Sequence, residues 1–369
     1  MSDSDFLIIS PIEIRLPMLS AFSLAEAAVS ATYSKFTTYA AGDLEGVFYN
    51  GAGFGCYVFR SLQDNNLNHA EIINGFPIFN EPLWWRFIGI AYLEYSANTT
   101  YGVDETVSYI GTTYDIDAQR TIYINDVYRS LAADNIGNPL SDATKWQRIS
   151  VTNRMKMFDG IYGSQTEGSE EIVVTLTPGQ SFTSLYLDNL DATSVTVTQT
   201  VSNYARTISL INYDLDWYSW FFRDYTQQRN CLFDDIPSLS QSALTITISN
   251  PGAIAKCGLC VIGTRTKLGR TLWGVNGGIL SFSGTTTDAF GNTTFLKRAN
   301  ARRLNFDVFI DSGYESEVFK VLDDHTDMPL VIIGSSLHEM CMAYGFLGEW
   351  NVPLTPGGSV AQIEIKSLV

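Results

Sequence analysis

Residues 171–177 read Glu-Ile-Val-Val-Thr-Leu-Thr and stop at Pro178-Gly179, and residues 244–249 read Leu-Thr-Ile-Thr-Ile-Ser. Apolar and hydroxyl side chains alternate in the second stretch, and both stretches end at turn residues, which is the pattern of β-strands. Further strands are predicted at 181–187 and 194–201. Period-two patterning punctuated by turns favours a β-sandwich or jelly roll in this part of the chain.

The last third of the chain combines strand patterns with one helical pattern, which predicts an α+β unit that is mostly β. A short helix is expected at 314–323, with Ser312 as its cap, because apolar residues there recur at helical spacing. The predicted strands of this unit are 253–263, 305–310, 330–333, 344–350 and 360–365. Near the other end, the Ala-rich stretch from Ser20 to Ala31 has strong helix propensity, and we expect it to dock on another subunit or to cover its own domain.

The composition of the 369 residues agrees with a folded, β-rich protein. Apolar residues make up 45%, aromatic residues 13% and charged residues only 17%, so the chain can bury large cores. The net charge of −16 argues against nucleic-acid binding, which needs a basic surface. No apolar run approaches the length of a membrane span, and the start, Met1-Ser-Asp-Ser-Asp, is unlike a signal peptide. We therefore expect synthesis in a cytoplasm, without membrane insertion and with reduced cysteines.

An internal repeat is the most informative feature of the first half. Residues 58–66 read Val-Phe-Arg-Ser-Leu-Gln-Asp-Asn-Asn, and residues 127–135 read Val-Tyr-Arg-Ser-Leu-Ala-Ala-Asp-Asn. In both copies a Thr-Tyr pair and an acid precede this stretch, and a proline and then a tryptophan follow it. The pattern indicates two short paired strands, a polar loop and a tryptophan that closes a very small core.

These patterns predict a mainly β protein of five units. An N-terminal arm at 1–32 is followed by two tandem small β modules closed by tryptophan, at 33–98 and 99–150. A β-sandwich or jelly-roll-like domain at 151–252 and a C-terminal β-rich domain at 253–369 complete the chain.

The repeat resembles the small chitin-binding-type modules of carbohydrate-binding family 5/12, which recur in bacteriophage tail proteins. The resemblance rests on Tyr39-Ala-Ala-Gly-Asp43 and on the prolines and tryptophans that follow, whereas Tyr101-Gly-Val-Asp-Glu105 departs at the glycine. The order of segments through Cys-Gly-Leu-Cys-Val-Ile-Gly263 and Asp327-Met-Pro329 is similar to that of phage tail proteins of the distal tail or baseplate. This resemblance implies a virion structural protein that assembles with itself, as a ring, trimer or hexamer, and with other tail proteins.

The aromatic rings of the two modules are the candidate sugar contacts that this resemblance implies. Such modules bind host-surface polysaccharide with rings that lie flat on the apolar face of a sugar. The alternative is that the rings form the small cores themselves. In the doublet Trp84-Trp85, one ring can close the core while the other stays at the surface, because adjacent side chains on a strand face opposite ways. The candidates are Tyr39, Trp84, Trp85, Tyr101, Tyr128 and Trp146.

Two other segments are predicted to contact neighbouring subunits. Residues 213–225 are rich in aromatics, and an exposed patch of that size is costly in a monomer. The stretch 265–303 is basic in an otherwise acidic chain, so it is expected to meet acidic surfaces of a neighbour. The alternative is pairing within the domain, to acids such as Asp288 and Asp307. The candidate interface residues are Trp217, Trp220, Arg302 and Arg303.

No catalytic, metal or cofactor site is predicted. Cys257-x-x-Cys260 lies in a strand-like run without the helix start that activates such pairs, so buried thiols are expected. The turn 323–327 has hard oxygen ligands and His325, but it is interpreted as a solvated connection between elements. Asp214, Asp216 and Asp224 are the best carboxylate group for glycoside cleavage in a chain with many acids.

Two functions other than a tail structural protein stay open. One is a free carbohydrate-binding or adhesin protein. The other is a polysaccharide-degrading tail enzyme, although no repeat of the kind that builds a long β-helix runs through the chain. We expect a protein that is not an enzyme.

Overall fold

A computed structural model describes residues 4–24, 33–47, 56–73, 76–116, 119–211, 227–240, 242–287, 290–298 and 300–368. These residues form a mainly β protein, as the sequence predicts, with one described α-helix, α1 (Glu315–Asp324). Short 3-10 turns lie at Leu16–Met18, Lys156–Phe158 and Glu339–Cys341.

The described strands are numbered in chain order. The first twelve are β1 (Ser4–Pro11), β2 (Leu19–Phe22), β3 (Thr38–Tyr39), β4 (Leu44–Val47), β5 (Cys56–Ser61), β6 (Asn66–Leu67), β7 (Glu71–Ile73), β8 (Phe76–Ile78), β9 (Trp85–Ala91), β10 (Thr106–Asp115), β11 (Arg120–Ser130) and β12 (Trp146–Val151). The next seven are β13 (Thr166–Leu176), β14 (Ser184–Asp188), β15 (Ser194–Gln199), β16 (Tyr204–Ser209), β17 (Cys231–Phe233), β18 (Leu244–Cys257) and β19 (Leu259–Thr271). The last are β20 (Asn276–Ser281), β21 (Gly284–Thr287), β22 (Thr293–Leu296), β23 (Asn300–Ile310), β24 (Leu330–Ile333), β25 (Met342–Asn351) and β26 (Ser359–Ser367).

Six strands close into an antiparallel barrel, in the order β19-β1-β24-β25-β26-β23. The barrel is closed where Arg270 and Thr271 of β19 pair with Phe309 and Val308 of β23. Since every one of these strands has a neighbour on both sides over part of its length, the barrel leaves few free backbone groups.

Alternate side chains of the barrel strands point inward and form one core. The rings of Phe6 and Phe306 meet edge-on at 5.3 Å between centroids in this core. Helix α1 covers one end, because Val318 and Leu322 pack against the same cluster. The helix confirms the prediction at 314–323, but Ser312 is not its cap: Tyr314 is the N-cap residue, without a side-chain cap bond.

A β-sandwich shares strand β19 with the barrel. The sheet β16-β15-β18-β13-β2 faces β17, β14 and the first residues of β19, with one apolar core between them. The strands predicted at 171–177, 181–187, 194–201 and 244–249 are confirmed as β13, β14, β15 and β18.

The chain passes from one sheet of the sandwich to the other at Gly258. Strand β18 runs on to Cys257, across the predicted boundary at 252–253, and β19 begins at Leu259. A Cβ at Gly258 would lie 2.8 Å from the Asn189 side chain, so the close approach requires glycine. The prediction of a single strand at 253–263 was therefore wrong, and Cys257 and Cys260 lie on two different strands.

The N-terminal segment is built into this body and is not a separate arm. Strand β1 lies between β19 and β24 in the barrel, and β2 pairs with β13 in the sandwich. Ser20, predicted to cap a helix, is in extended backbone, because the pairing of Ala21 with Thr175 overrides local helix propensity. Residues 25–32 lie outside the described residues.

The two modules are an insertion into the sandwich. The chain leaves after β2 and returns before β13, and these two strands are paired neighbours in one sheet. Arg86 forms an ion pair with Glu170 of β13 at 2.7 Å, and Arg60 Nη2 donates to the backbone oxygen of Ser23 at 3.0 Å. The first module is therefore joined to the body by an ion pair and a hydrogen bond.

Substitution of Phe6 by alanine tests whether the N-terminal segment belongs to the barrel. Phe6 is fully buried against Phe306, so Phe6→Ala should lower the free energy of unfolding by about 3–5 kcal/mol. Phe36→Ala, at a side chain that is 84% exposed, is the matched control and should change it by less than about 0.5 kcal/mol. Equal urea midpoints for the two variants would contradict this role of β1.

Candidate functional site

Each module is closed by a tryptophan packed edge-on against a tyrosine. The ring centroids of Tyr39 and Trp85 are 5.2 Å apart with planes at 70°, and those of Tyr101 and Trp146 are 5.2 Å apart with planes at 72°. The four side chains are only 3–5% exposed. The structure thus places four of the six candidate sugar contacts in the cores, as the alternative interpretation expects.

The tyrosine hydroxyls are fixed by the backbone in the same way in both modules. The Ser34 N–H donates to the Tyr39 hydroxyl at 2.8 Å, and the Ser96 N–H donates to the Tyr101 hydroxyl at 2.8 Å. In turn each hydroxyl donates to the backbone oxygen of the same serine, at 3.3 and 3.2 Å. These hydroxyls are therefore occupied by the fold.

A buried asparagine ties the loop of each module to its closing tryptophan. Asn66 Nδ2 donates to Ser61 Oγ at 2.9 Å, and Asn135 Nδ2 donates to Ser130 Oγ at 3.0 Å. The same two amides donate to the backbone oxygen of the residue before the closing tryptophan, at 3.3 and 3.2 Å. The Arg-Ser-Leu…Asn pattern of the repeat thus encodes a shared loop structure.

The arginines of this pattern have different partners in the two modules. Arg60 binds the body, through the backbone oxygen of Ser23, and Arg129 Nη2 donates to Gln147 Oε1 at 2.6 Å. Their common position therefore does not give them a common hydrogen-bonding role.

Trp84 is the one member of the candidate set with a surface ring held by other side chains. It is half-buried, and its ring lies parallel to the ring of His69 at 3.7 Å between centroids, with planes at 7°. Nδ1 of His69 lies 2.8 Å from Glu81 Oε2, so the imidazole is held in place behind the indole. We call Trp84, His69 and Glu81 the Trp84 platform.

The second module lacks this platform. The residue before its closing tryptophan is Lys145, and Asn138 stands three residues after Asn135, where the first module has His69 three residues after Asn66. Sequence analysis identified Trp84 but missed His69. The offset of three residues from the repeated asparagine was the signal that distinguishes the two copies.

Tyr128 is half-buried and packs against the core of the second module. Its register partner in β12 is Arg148, which forms an ion pair with Asp126 at 2.8 Å. Burial and the neighbouring Asp126 carboxylate raise the pKa of Tyr128. The structure does not bring this tyrosine together with the Trp84 platform in one module.

The four predicted interface residues differ in what the structure shows of them. Trp217 and Trp220 lie outside the described residues. Arg303 Nε forms an ion pair with Glu364 at 2.8 Å within the chain, which agrees with the alternative of pairing within the domain, and its interface role stays a prediction. Arg302 forms no ion pair with any described residue. Other basic residues of the stretch also pair within the chain, although with acids other than Asp288 and Asp307: Arg265 with Asp234, Lys267 with Asp5, and Arg270 with Asp311.

Three buried cysteines and His325 are held by contacts within the fold. Cys231, Cys257 and Cys260 are buried in the sandwich core as free thiols, and burial raises the pKa of each. His325 Nδ1 lies 2.7 Å from the backbone oxygen of Val321, and Nε2 lies 2.7 Å from Ser10 Oγ, so both ring nitrogens are engaged. Among the described residues, no cluster of three His, Cys, Asp or Glu side chains is placed to hold a metal ion.

A buried carboxylate that sequence analysis did not single out lies at the end of β14. Asp188 accepts hydrogen bonds from the Tyr186 hydroxyl at 2.8 Å, the Asn189 N–H at 2.7 Å and the Tyr162 hydroxyl at 3.4 Å. Burial raises the pKa of Asp188 although these donors oppose the shift. With three donors from its own chain, this carboxylate acts as a structural acceptor.

A scan against protein-family models gives no match, and a search of curated proteins gives none either. Within the described part of the chain, no helix is both long and apolar enough for a membrane span. The site must therefore be judged on its own geometry.

Glu45 is a buried carboxyl in the core of the first module. Its side chain is buried beside Tyr39, and its Oε2 has no hydrogen-bond partner among the described residues. Burial raises the pKa of Glu45 to about 7, and the Asp43 carboxylate adds to the shift. The residue at the same distance after the repeated tyrosine in the second module is Val107, which is buried in that core.

The pKa of Glu45 predicts that the first module loses stability as the pH rises. The folded module favours the protonated carboxyl, so its free energy of unfolding should fall between about pH 4 and the folded-state pKa near 7, and level off above it. Melting temperatures followed by tryptophan fluorescence at pH 5 and pH 8 measure this difference. Glu45→Gln should reduce it, while Glu71→Gln, at an exposed position of the same module, should retain it. Equal pH dependence in both variants would contradict the assignment to Glu45.

The two adjacent tryptophans should respond differently to substitution. Trp85→Ala removes the ring that closes the first core and should cost about 3–5 kcal/mol, whereas Trp84→Ala should cost less than half as much. Hydrogen exchange of the β5 amides measures the stability of this module directly, since β5 pairs with the strand that begins at Trp85. Equal loss of protection in both variants would mean that Trp84 is part of the core.

Proposed function

We propose that this protein is a structural component of a bacteriophage tail, in the distal tail or baseplate region, that assembles with copies of itself and contacts host-surface glycans through its first module. The Trp84 platform carries the proposal: a half-buried indole, stacked on His69, lies at the edge of a core that is already closed by Trp85. The resemblance of the repeat to chitin-binding-type modules of phage tails supports the same assignment.

The platform has the parts that sugar binding requires. The flat indole offers an apolar face for the C–H groups of a sugar ring. The imidazole of His69 covers the other side of the indole and restricts its rotation, which lowers the entropy cost of binding. Glu81 is about half exposed and has a second oxygen to accept a sugar hydroxyl. Sugar binding is therefore expected at the first module and not at the second, because the second module has no residues that match the Trp84 platform.

The attachment of the modules supports a display role. Both modules are inserted between paired neighbouring strands of the sandwich, and the ion pair between Arg86 and Glu170 joins the first module to that sheet. A tail subunit needs such a rigid connection, because it must present a contact surface in a fixed direction while its body is held in the assembly.

Binding of chitin-type oligosaccharides by the full chain tests the glycan function. Trp84→Ala should weaken binding about tenfold or more, as loss of a stacking aromatic at a hot spot does, without loss of the fold. Tyr114→Ala, at a tyrosine of the second module that is 62% exposed, is the matched control and should bind as the wild type. Calorimetric titration with a series of oligosaccharides gives the affinities. Equal affinities for Trp84→Ala and the control would contradict the platform.

The location is tested separately from the glycan. Electron microscopy of purified phage particles, with a gold-labelled antibody against this chain, should place the label on the tail. Label on released protein alone would contradict the tail assignment and leave a free adhesin as the function.

A further inference from the structure

The described residues between Asn276 and Arg303 form a two-stranded arm that extends from the barrel. Strand β20 pairs with the start of β23, and β21 pairs with β22 beyond it. The backbone N–H of Arg298 donates to Ser283 Oγ at 3.0 Å, which connects the two ladders. Every residue of β20, β21 and β22 is exposed, so these strands lie outside the barrel core.

The arm carries apolar side chains in positions where they contact little of their own chain. Ile279 is 74% exposed and Phe295 is 63% exposed, and Phe282 and Leu296 are both 52% exposed. An isolated two-stranded ribbon is marginally stable in water, and exposed apolar side chains on it mark an interaction surface. The arm is therefore suited to a partner that covers it.

The charge of the arm indicates the kind of partner. Within residues 276–303 there are four cations, Lys297, Arg298, Arg302 and Arg303, and one acid, Asp288, whereas the whole chain has a net charge of −16. A second copy of this chain is thus an acidic partner for a basic arm, and electrostatic complementarity favours the contact between the two.

The same chain has an apolar cavity at the root of the arm. Its volume is about 290 Å³, and its lining includes Trp273, Leu337 and Met340, which are 72%, 80% and 54% exposed. Glu339 is adjacent to Met340, so an acid stands beside the apolar lining. Phe295 pairs with Thr285, about nine residues along the arm from Asn276, and at ~3.3 Å per residue this places it roughly 30 Å from the root. The outer part of an extended arm is therefore out of reach of its own cavity.

We propose that the arm of one copy docks into this cavity of the next copy, with Phe295 and Leu296 against Trp273 and Leu337. Lys297 and Arg298, which follow these two residues, then lie on the side of the cavity where Glu339 stands. Arm and cavity are different surfaces, so the contact is heterologous, and a rotation between neighbours that divides a full turn closes it into the ring proposed here. The inference rests on the self-assembly part of the proposed function and is independent of glycan binding.

Two complementary variants of the full chain test this contact by sedimentation velocity. The arm variant carries Phe295→Asp and Leu296→Asp, and the cavity variant carries Leu337→Asp and Met340→Asp. Val201→Asp, at a side chain that is 70% exposed on the sandwich, is the control. Wild type and control should sediment as closed oligomers, and each variant alone should be monomeric. An equal mixture of arm and cavity variants should form a 1:1 dimer, since one intact arm and one intact cavity remain.

Folding and charge are controlled in the same experiment. The arm variant should melt at the wild-type temperature, because the substituted side chains lie outside the barrel core. Lys297→Glu with Arg298→Glu should raise the dissociation constant at least tenfold at low salt, with a smaller effect at high salt, since salt screens the charges. Closed oligomers of the arm variant, or failure of the mixture to form dimers, would overturn the arm contact but leave self-assembly intact. A monomeric wild type would overturn both.

Discussion

Strand β19 holds the body together because it belongs to two cores at once. Its first residues face the sandwich, where Cys260 and Ile262 pack, and Leu268 near its other end lies in the barrel core. Two hydrophobic cores that share one continuous strand cannot move independently without breaking its hydrogen bonds. The sharp passage at Gly258 makes this sharing possible, because it delivers the chain from one sheet of the sandwich directly into the other.

The local elements were predictable, whereas their partners were not. Alternation of apolar and hydroxyl residues predicts a strand wherever one face is buried, and it located the starts of β15 and β18, although β18 runs on to Cys257, eight residues past the predicted stretch. The same pattern carries no information on which strand pairs with which. Hence β1, at the start of the chain, was assigned to an arm although it completes the barrel between β19 and β24. Barrel closure through Arg270 and Thr271 is equally non-local.

The candidate site was predictable to the extent that it follows local geometry. The doublet Trp84-Trp85 lies where a strand begins: Trp85, the first residue of β9, is buried, and Trp84, in the turn before it, is half-buried. The stack on His69 could not be predicted in this way, since it joins a loop residue to the closing turn through tertiary contact. The Asp-rich aromatic segment with Trp217 and Trp220 lies outside the described residues, so its predicted role remains a prediction.

The differences between the two modules separate what the fold requires from what one copy adds. Both keep the tyrosine, the asparagine and the closing tryptophan, because a core of this size does not close without them. The first module differs from the second at two positions. Glu45 is buried where the second module has Val107, and Trp84 occupies the position of Lys145. A buried carboxyl destabilises a small core, and a half-buried indole beside that core is not needed to close it, because Trp85 already does so. Both departures lie in the copy that is joined to β13 through Arg86, which makes the first module the one that is both anchored and equipped for contact.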